Sequence, residues 1–161
     1  MTSNSPIAPI ETIDRGPNVI TRSTVVDVPA SEIFARLQNP RRHTELDGSG
    51  TVKNGVEGPQ HLAAGDSFTV AMRMFGVPYK IKSRVVAFEQ DRLIEWRHPT
   101  GHTWRLELEP LADGRTRVTE TWDYSENKTA FIYKLIGLPG RNTEGIESTL
   151  AKLQHGFATT A

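Results

Sequence analysis

The side chains most able to do chemistry are concentrated in residues 93–110, LIEWRHPTGHTWRLELEP. This segment holds two of the chain's three tryptophans and two of its five histidines, His98 and His102. Imidazole takes up or releases a proton near neutral pH and also binds metals, and indole packs against apolar surfaces. Glu120 and Tyr124 follow in the next segment, so what these groups can do depends on whether the fold brings them together.

Apolar and polar residues alternate on both sides of Pro99-Thr100-Gly101. This pattern predicts two antiparallel strands joined by a three-residue loop, with Gly101 in the left-handed conformation. The predicted cross-strand pairs are His98 with His102, Trp96 with Trp104, Ile94 with Leu106, and Glu95 with Arg105. The last pair joins opposite charges on the face that meets water, which supports this register. The even-numbered residues then point to the interior.

The neighbouring strands extend this inner face. A three-residue loop at residues 112–114 and a two-residue turn at residues 90–91 predict one further strand on each side. The predicted neighbours are Trp104 and Trp122, His102 and Tyr124, Leu106 and Glu120, Leu108 and Val118, and Val85 and Trp96. The three tryptophans then form one row across three strands, and Tyr79, Ile81 and Ser83 also point inward.

The inner face has two interpretations. Its aromatic residues fill a core between a sheet and a helix, which is their usual role. Alternatively they line a ligand cavity, because a few polar groups in an apolar wall are typical of such a site and are costly to bury unpaired. The predicted wall consists of Trp96, Trp104, Trp122, Phe68, Val70, Met72, Leu106 and Leu150. The groups predicted to orient the polar end of a ligand are His98, His102, Tyr124, Glu120 and Tyr79.

The polar groups on this face also allow catalysis. Glu120 or a histidine could act as a general base on an enolisable carbonyl compound, with an inner tyrosine as hydrogen-bond donor and with burial raising the pKa of the carboxyl. His98, His102 and Glu120 are also candidate metal ligands. Because Glu120 pairs beside Leu106, deeper in the sheet, we predict no metal. Alternatively, a cation such as Arg73 neutralises Glu120, or a bulge turns it outward.

The other strands follow from β-branched and alternating patterns. A first strand is predicted over residues 19–28 and a weaker one near residues 51–56. From Gly65 to Tyr124 five strand candidates follow one another with short turns, which indicates an antiparallel meander.

Three segments have helical spacing, and residues 40–48, PRRHTELDG, are interpreted as a further short helical turn. Residues 31–39 predict a short helix capped by Ser31, and residues 142–157 predict a closing helix capped by Asn142 or Thr143. Ile146, Leu150, Leu153 and Phe157 share one face of that closing helix. The apolar run at residues 130–138 is interpreted as a core helix, with a lid or a contact surface as the alternatives.

Composition restricts the class of protein. We expect a flexible tail at residues 1–17 and a single domain at residues 18–161. Nineteen basic and nineteen acidic residues balance, which argues against nucleic acid as a partner. The absence of cysteine excludes disulfides and thiolate chemistry. Without a signal-peptide pattern or a long apolar segment, we expect an unprocessed soluble protein in the cytoplasm with no stable membrane insertion.

Four segments occur in a distinctive order: VDVPASEIFARLQNPRR, AAGDSF, RVVAFEQDRLIEWRH and LEPLADGRTRVTETWDY. Over residues 19–157 the chain resembles the START-like, or SRPBCC, superfamily, and within it the polyketide cyclase/dehydrase and lipid-transport family of actinobacterial type. The resemblance implies an α+β helix-grip fold, a curved antiparallel sheet of about seven strands, with two short helices after strand 1, wrapped around a long C-terminal helix. Relatives commonly carry a tryptophan where this chain has His43-Thr44-Glu45-Leu46.

The resemblance also implies a hydrophobic cavity between the sheet and the last helix, and it brings no shared catalytic triad. We therefore expect the chain to sequester or transport a hydrophobic or amphipathic small molecule such as a lipid or polyketide, without a cofactor, as a monomer or homodimer. The first alternative is a cyclase or dehydratase that uses Glu120, His98, His102 and Tyr124 as acid–base groups. The second is a protein-interaction module whose cavity is filled by its own side chains.

Overall fold

The computed structural model describes residues 7–43 and 52–158 of the protein. Within these ranges the strands are β1 Glu11–Ile13, β2 Val19–Val26, β3 Val52–Glu57, β4 Ser67–Met74, β5 Val77–Glu89, β6 Leu93–Arg97, β7 Thr103–Pro110 and β8 Thr116–Asp123. The helices are α1 Ala30–Gln38, a 3₁₀ turn at Pro40–Arg42, α2 Ala130–Leu135 and α3 Leu138–Ala158. All strands belong to one antiparallel sheet, in the order β1-β2-β8-β7-β6-β5-β4-β3. With the long helix α3, this confirms the predicted α+β helix-grip class.

The sheet has eight strands rather than about seven because the N-terminal segment adds an edge strand. Residues 11–13 lie within the predicted flexible tail, yet they pair with β2 from Glu11 opposite Ser23 to Ile13 opposite Thr21. The Gln154 amide of α3 donates hydrogen bonds to the Ala8 carbonyl at 2.9 Å and to the Thr24 hydroxyl at 2.8 Å. Part of the predicted tail is therefore attached to both the sheet and the closing helix.

The predicted register of the three central strands is confirmed. Ile94 pairs with Leu106, Trp96 with Trp104, Trp104 with Trp122, and Leu106 with Glu120. Both three-residue loops form, and the left-handed residues are Gly101, with φ of 102°, and Gly114, with φ of 82°. Arg105 donates a hydrogen bond to Glu95 at 2.8 Å on the outer face, so the opposite charges meet as expected.

Strand β5 pairs with β6 as predicted near Val85, but the turn between the two strands is longer than predicted. Val85 pairs with Trp96 as predicted, but the β5–β6 turn has three residues, because Glu89 pairs with Leu93. A bulge between Val85 and Ala87 absorbs the extra residue, and Val86 is exposed. Before the bulge the odd-numbered residues face inward, and after it Phe88 does, because it pairs with Ile94.

The helix boundaries differ from the predicted ones. The N-cap of α1 is Pro29, so the predicted cap Ser31 is wrong. Helix α3 starts at Leu138, about one turn before the predicted caps Asn142 and Thr143, because Pro139 fits the first turn of a helix. The Thr143 hydroxyl instead donates to the Pro139 carbonyl at 2.8 Å.

The apolar run at residues 130–138 is not a core helix. It forms α2, which has no buried residue, and its large apolar side chains Phe131, Ile132 and Leu135 are exposed together with Ile136. Gly137, at φ of 73°, ends this segment and allows α3 to begin in a new direction.

Candidate functional site

The inner face of the sheet divides into a closed region and an open region. In the closed region, Val118 and Trp122 of β8 pack with Ile146, Leu150 and Leu153 of α3, and each is at most 1% exposed. The open region consists of five residues that face inward but stay partly exposed: Met72, Tyr79, Ile81, Trp96 and Trp104. Helix α3 packs against β2 and β8, which accounts for the complete burial on that side.

The three tryptophans share one row but have different surroundings. Trp122 stacks on Tyr124, with ring centroids 4.3 Å apart, and on Trp104 at 5.9 Å. Trp96 packs instead against Phe68, edge to face at 5.8 Å. Trp122 therefore behaves as a core residue, whereas Trp96 and Trp104 present partly exposed rings to the open region.

A residue that the sequence analysis did not select, His43, forms part of this aromatic wall. Its ring stacks on Trp96 at 5.2 Å and meets Phe68 edge to face at 5.6 Å. The Nε2 atom donates to the Leu37 carbonyl at 2.7 Å, which fixes the orientation of the ring. The replacement of the family's tryptophan at residues 43–46 is the signal that pointed here, although residues 44–46 lie outside the described ranges.

His98 and His102 meet at the tip of the β6–β7 hairpin, as predicted. Their rings stack with centroids 4.2 Å apart. Desolvation by burial lowers the pKa of His98 to about 4, and burial together with the neighbouring His98 lowers the pKa of His102 to about 3. Both imidazoles are therefore neutral at pH 7, and a base with so low a pKa accepts a substrate proton weakly.

Helix α2 rests on this hairpin through Tyr133. The Tyr133 hydroxyl donates to the Thr100 hydroxyl at 2.9 Å and accepts a hydrogen bond from the Asn127 amide at 3.0 Å. It also lies 3.3 Å from Nδ1 of His102. The Asn127 amide also donates to the Thr100 carbonyl at 2.8 Å. One polar network therefore joins the tip of the β6–β7 hairpin to Tyr133 of α2.

Glu120 keeps its predicted place on the inner face. It is buried, and β8 pairs with both neighbouring strands without a register shift, so that Glu120 lies between Leu106 and Arg22. The alternative of a bulge that turns Glu120 outward is therefore wrong. Arg22 donates to Glu147 of α3 at 3.1 Å, which places a second carboxylate on the helix side of this row.

Burial raises the pKa of the two inner tyrosines, Tyr79 and Tyr124. Desolvation raises the pKa of Tyr124. It also raises the pKa of Tyr79, and the positive charge of Arg141 partly opposes that rise. Both phenols therefore stay protonated at neutral pH and are available as hydrogen-bond donors.

The predicted wall residues lie on the inner face of the sheet, except Leu150 on α3, and they do not form a uniform surface. Phe68, Val70, Leu106 and Leu150 are buried, whereas Met72 and Tyr79 are partly exposed. Within residues 7–43 and 52–158, no three histidine or carboxylate side chains are grouped where they could hold a metal ion. In the same ranges, two buried ring nitrogens, Nδ1 of His98 and Nε1 of Trp122, have no hydrogen-bond partner.

Comparison with known proteins agrees with this architecture. Residues 18–155 match the family model described as polyketide cyclase / dehydrase and lipid transport, and the chain belongs to that family. The uncharacterized protein Rv0088 of Mycobacterium tuberculosis is 46% identical over 154 residues, which cover 92% of this chain and 68% of that protein.

Two solved structures have the same fold. The crystal structure of protein Ms6760 from Mycobacterium smegmatis aligns with a TM-score of 0.68 at 17% identity and covers 97% of this chain and 100% of its own. The solution structure of the Polyketide_cyc-like protein Cgl2372 from Corynebacterium glutamicum aligns with a TM-score of 0.57 at 19% identity and covers 88% and 91%. None of the described helices is both long and apolar enough to cross a membrane.

Proposed function

We propose that this protein binds a hydrophobic or amphipathic small molecule, of the lipid or polyketide class, against the open region and thereby sequesters or transports it. The observation that carries the proposal is the partial exposure of Met72, Tyr79, Ile81, Trp96 and Trp104. These side chains face inward on the same sheet whose closed region is fully buried, and an apolar ligand would remove them from water. The family's description, which includes lipid transport, supports the same class of ligand.

The binding free energy would come mainly from burial of apolar surface. At about 25 cal/mol per Å², a ligand that buries about 300 Å² gains about 7 kcal/mol before the entropic cost of association. The phenol of Tyr79, which is partly exposed in the open region, would contribute a polar contact that orients the ligand.

A blocking substitution tests this proposal. Ile81→Trp adds bulk to the open region, whereas Lys82→Trp adds the same bulk to the outer face one residue along β5. We expect Ile81→Trp to weaken binding of an apolar probe, 8-anilinonaphthalene-1-sulfonate, by about tenfold or more, because it occupies the space that the probe needs. Lys82→Trp should bind as the wild type does. Equal probe affinity for all three proteins, measured by fluorescence titration, would contradict the proposal.

Native mass spectrometry separates a ligand carrier from an interaction module with a filled cavity. A carrier should take up a fatty acid such as palmitate with one-to-one stoichiometry, and Ile81→Trp should reduce that uptake. If the wild-type protein takes up neither the fatty acid nor the fluorescent probe, the second alternative, a protein-interaction module, explains the fold better. Location in the cytoplasm and the choice between monomer and homodimer stay predictions.

A cyclase or dehydratase is the second candidate function, because the buried carboxyl group of Glu120 lies on the inner face, between Leu106 and Arg22. Glu120→Gln keeps the size of the side chain but removes its capacity as a base. We expect this variant to bind the fluorescent probe within about twofold of the wild type, since burial of apolar surface supplies the affinity. An enzyme would instead lose turnover of a polyketide-like β-keto thioester while it still bound the compound.

A further inference from the structure

The outer surface of α2 is apolar. Phe131 and Leu135 are one turn apart and are 68% and 83% exposed. Ile132 and Ile136 lie beside them and are also exposed. Tyr133 points the opposite way, into the polar network at the β6–β7 hairpin, so this side of α2 is attached to the protein and the side with the exposed apolar residues is not.

The tip of the β4–β5 hairpin presents a second exposed aromatic. Phe75 and Gly76 form a two-residue turn, because Met74 pairs with Val77, and both have positive φ, 50° and 79°. Asparagine or glycine is the usual residue at the first position of such a turn, and a phenylalanine there is strained. Its ring is nevertheless 71% exposed, so this strain brings no burial within the described protein.

The two apolar features lie at the same end of the sheet. In an antiparallel meander, the β4–β5 and β6–β7 turns share one end and the β5–β6 turn lies at the other. Tyr133 connects α2 to Thr100 in the β6–β7 loop, and the Arg141 guanidinium of α3 lies 5.1 Å from the centre of the Phe75 ring. We name Phe75, Phe131, Ile132, Leu135 and Ile136 the apolar tip.

Cations outnumber carboxylates around the apolar tip. Residues 73–82 contain Arg73, Lys80 and Lys82, and residues 127–143 contain Lys128, Lys134 and Arg141, and neither segment contains an aspartate or glutamate. Lys80 pairs with Glu57 at 3.4 Å, and the rest of the chain offsets the excess, since the formal net charge is zero. Glu126 and Glu144 lie just outside the second segment, and Glu126 is 3.8 Å from Arg97, so the apolar tip is bordered by an excess of cations rather than by cations alone.

We propose that the apolar tip docks on the surface of an anionic phospholipid bilayer. Apolar side chains that protrude from a short helix and a turn can enter the boundary between head groups and acyl chains, and flanking cations attract anionic head groups. A second copy of this chain fits less well, because a symmetric dimer through this surface would bring its cations against themselves. The proposal does not depend on the ligand proposed for the open region.

Vesicle sedimentation tests this proposal with the 161-residue protein. We expect it to bind vesicles of phosphatidylcholine and phosphatidylglycerol, in roughly a two-to-one ratio, about tenfold or more tightly than vesicles of phosphatidylcholine alone. Raising the salt from about 0.1 M to about 1 M should reduce binding to the anionic vesicles. Equal binding to both kinds of vesicle, or no binding to either, would overturn the proposal.

Two double variants separate the apolar and the charged contributions. Phe131→Ser with Leu135→Ser should lower affinity for the anionic vesicles about tenfold or more. Lys134→Glu with Arg141→Glu should reduce it to the level seen with neutral vesicles. The matched controls are Val86→Ser, an exposed apolar residue on β5 away from the tip, and Arg92→Glu, an exposed cation in the β5–β6 turn at the other end.

The controls should bind the anionic vesicles as the wild type does, and circular dichroism should show that all variants are folded. If both double variants retain wild-type binding, the apolar tip is not the docking surface. If the protein instead forms a concentration-dependent dimer that the Phe131→Ser, Leu135→Ser variant abolishes, with no vesicle binding, the tip joins two copies and the bilayer proposal is wrong.

Discussion

The open and closed regions belong to one sheet and share one row of tryptophans, yet they differ in what covers them. Trp122 is fully buried between Tyr124, Trp104 and the closing helix, whereas Trp96, two strands away, is only partly covered. The strand pattern is the same for both, since each tryptophan alternates with outward residues. Coverage therefore depends on where α3 crosses the sheet, which is on β2 and β8.

Truncation of the two stacked tryptophans should give the largest difference between the regions. Trp122→Ala removes a fully buried ring and should lower the free energy of unfolding by about 3 to 5 kcal/mol. Trp104→Ala removes a partly exposed ring, so its loss of unfolding free energy should be smaller than that of Trp122→Ala by about 1 to 3 kcal/mol. Urea denaturation measures both values. Equal losses would show that the open region is packed as tightly as the closed one.

The histidine pair, which lies where the two regions meet at the β6–β7 hairpin, should make stability depend on pH. The folded pKa values of His98 and His102 are about 4 and about 3, below the value near 6.5 of an unfolded histidine. Between those limits the unfolded chain binds more protons, so the free energy of unfolding falls as the pH decreases. From pH 7 to pH 5 we expect a loss of about 1 to 2 kcal/mol per histidine.

A histidine variant identifies the source of that loss. His102→Asn should remove about half of the pair's contribution to the pH dependence of the free energy of unfolding. Urea denaturation at pH 7 and pH 5 provides the comparison. An identical pH dependence in the wild type and in His102→Asn would mean that the buried pair does not titrate as described.

The ion pairs on the outer face of the central strands should contribute least to the free energy of unfolding. Arg105 bonds to Glu95 and Glu107 there, and partly exposed ion pairs are worth about 0.2 to 1 kcal/mol each. We expect Arg105→Ala to lower the free energy of unfolding by about 1 kcal/mol or less, and the loss should shrink at high salt. A loss as large as that of Trp104→Ala would mean that the outer network, rather than the inner face, sets the stability of the central strands.

The central register was predictable from local signals. Pro99-Thr100-Gly101 specifies both the length and the conformation of its loop, and the Glu95–Arg105 pair tests the alignment independently. Strand β1 was missed because three residues are too few for alternation to show. The β5–β6 turn was predicted one residue too short, since the bulge that compensates for it has no glycine or proline to mark it.

The surroundings of the inner face were less predictable. Periodicity assigns Trp96, Trp104 and Trp122 to one face, but it does not reveal which of them the closing helix covers. The run at residues 130–138 has the composition of a core helix, and only its tertiary setting shows that its apolar side has no partner among the described residues. The stacking of His43 on Trp96 likewise joins two segments that are distant in sequence.

The bulge at Val86 allows the two halves of the long strand β5 to contact different parts of the interior. Ahead of it, β5 presents Tyr79 and Ile81 to the open region, and beyond it Phe88 packs edge to face on Phe34 of α1 at 5.5 Å. Val86 is the extra residue at this bulge, so a strand that lacked only Val86 would alternate regularly and keep both Ile81 and Phe88 on the inner face. A one-residue deletion at Val86 should therefore be better tolerated by an evolving gene than one in the regular part of β5, which would turn the residues on one side of it to the opposite face.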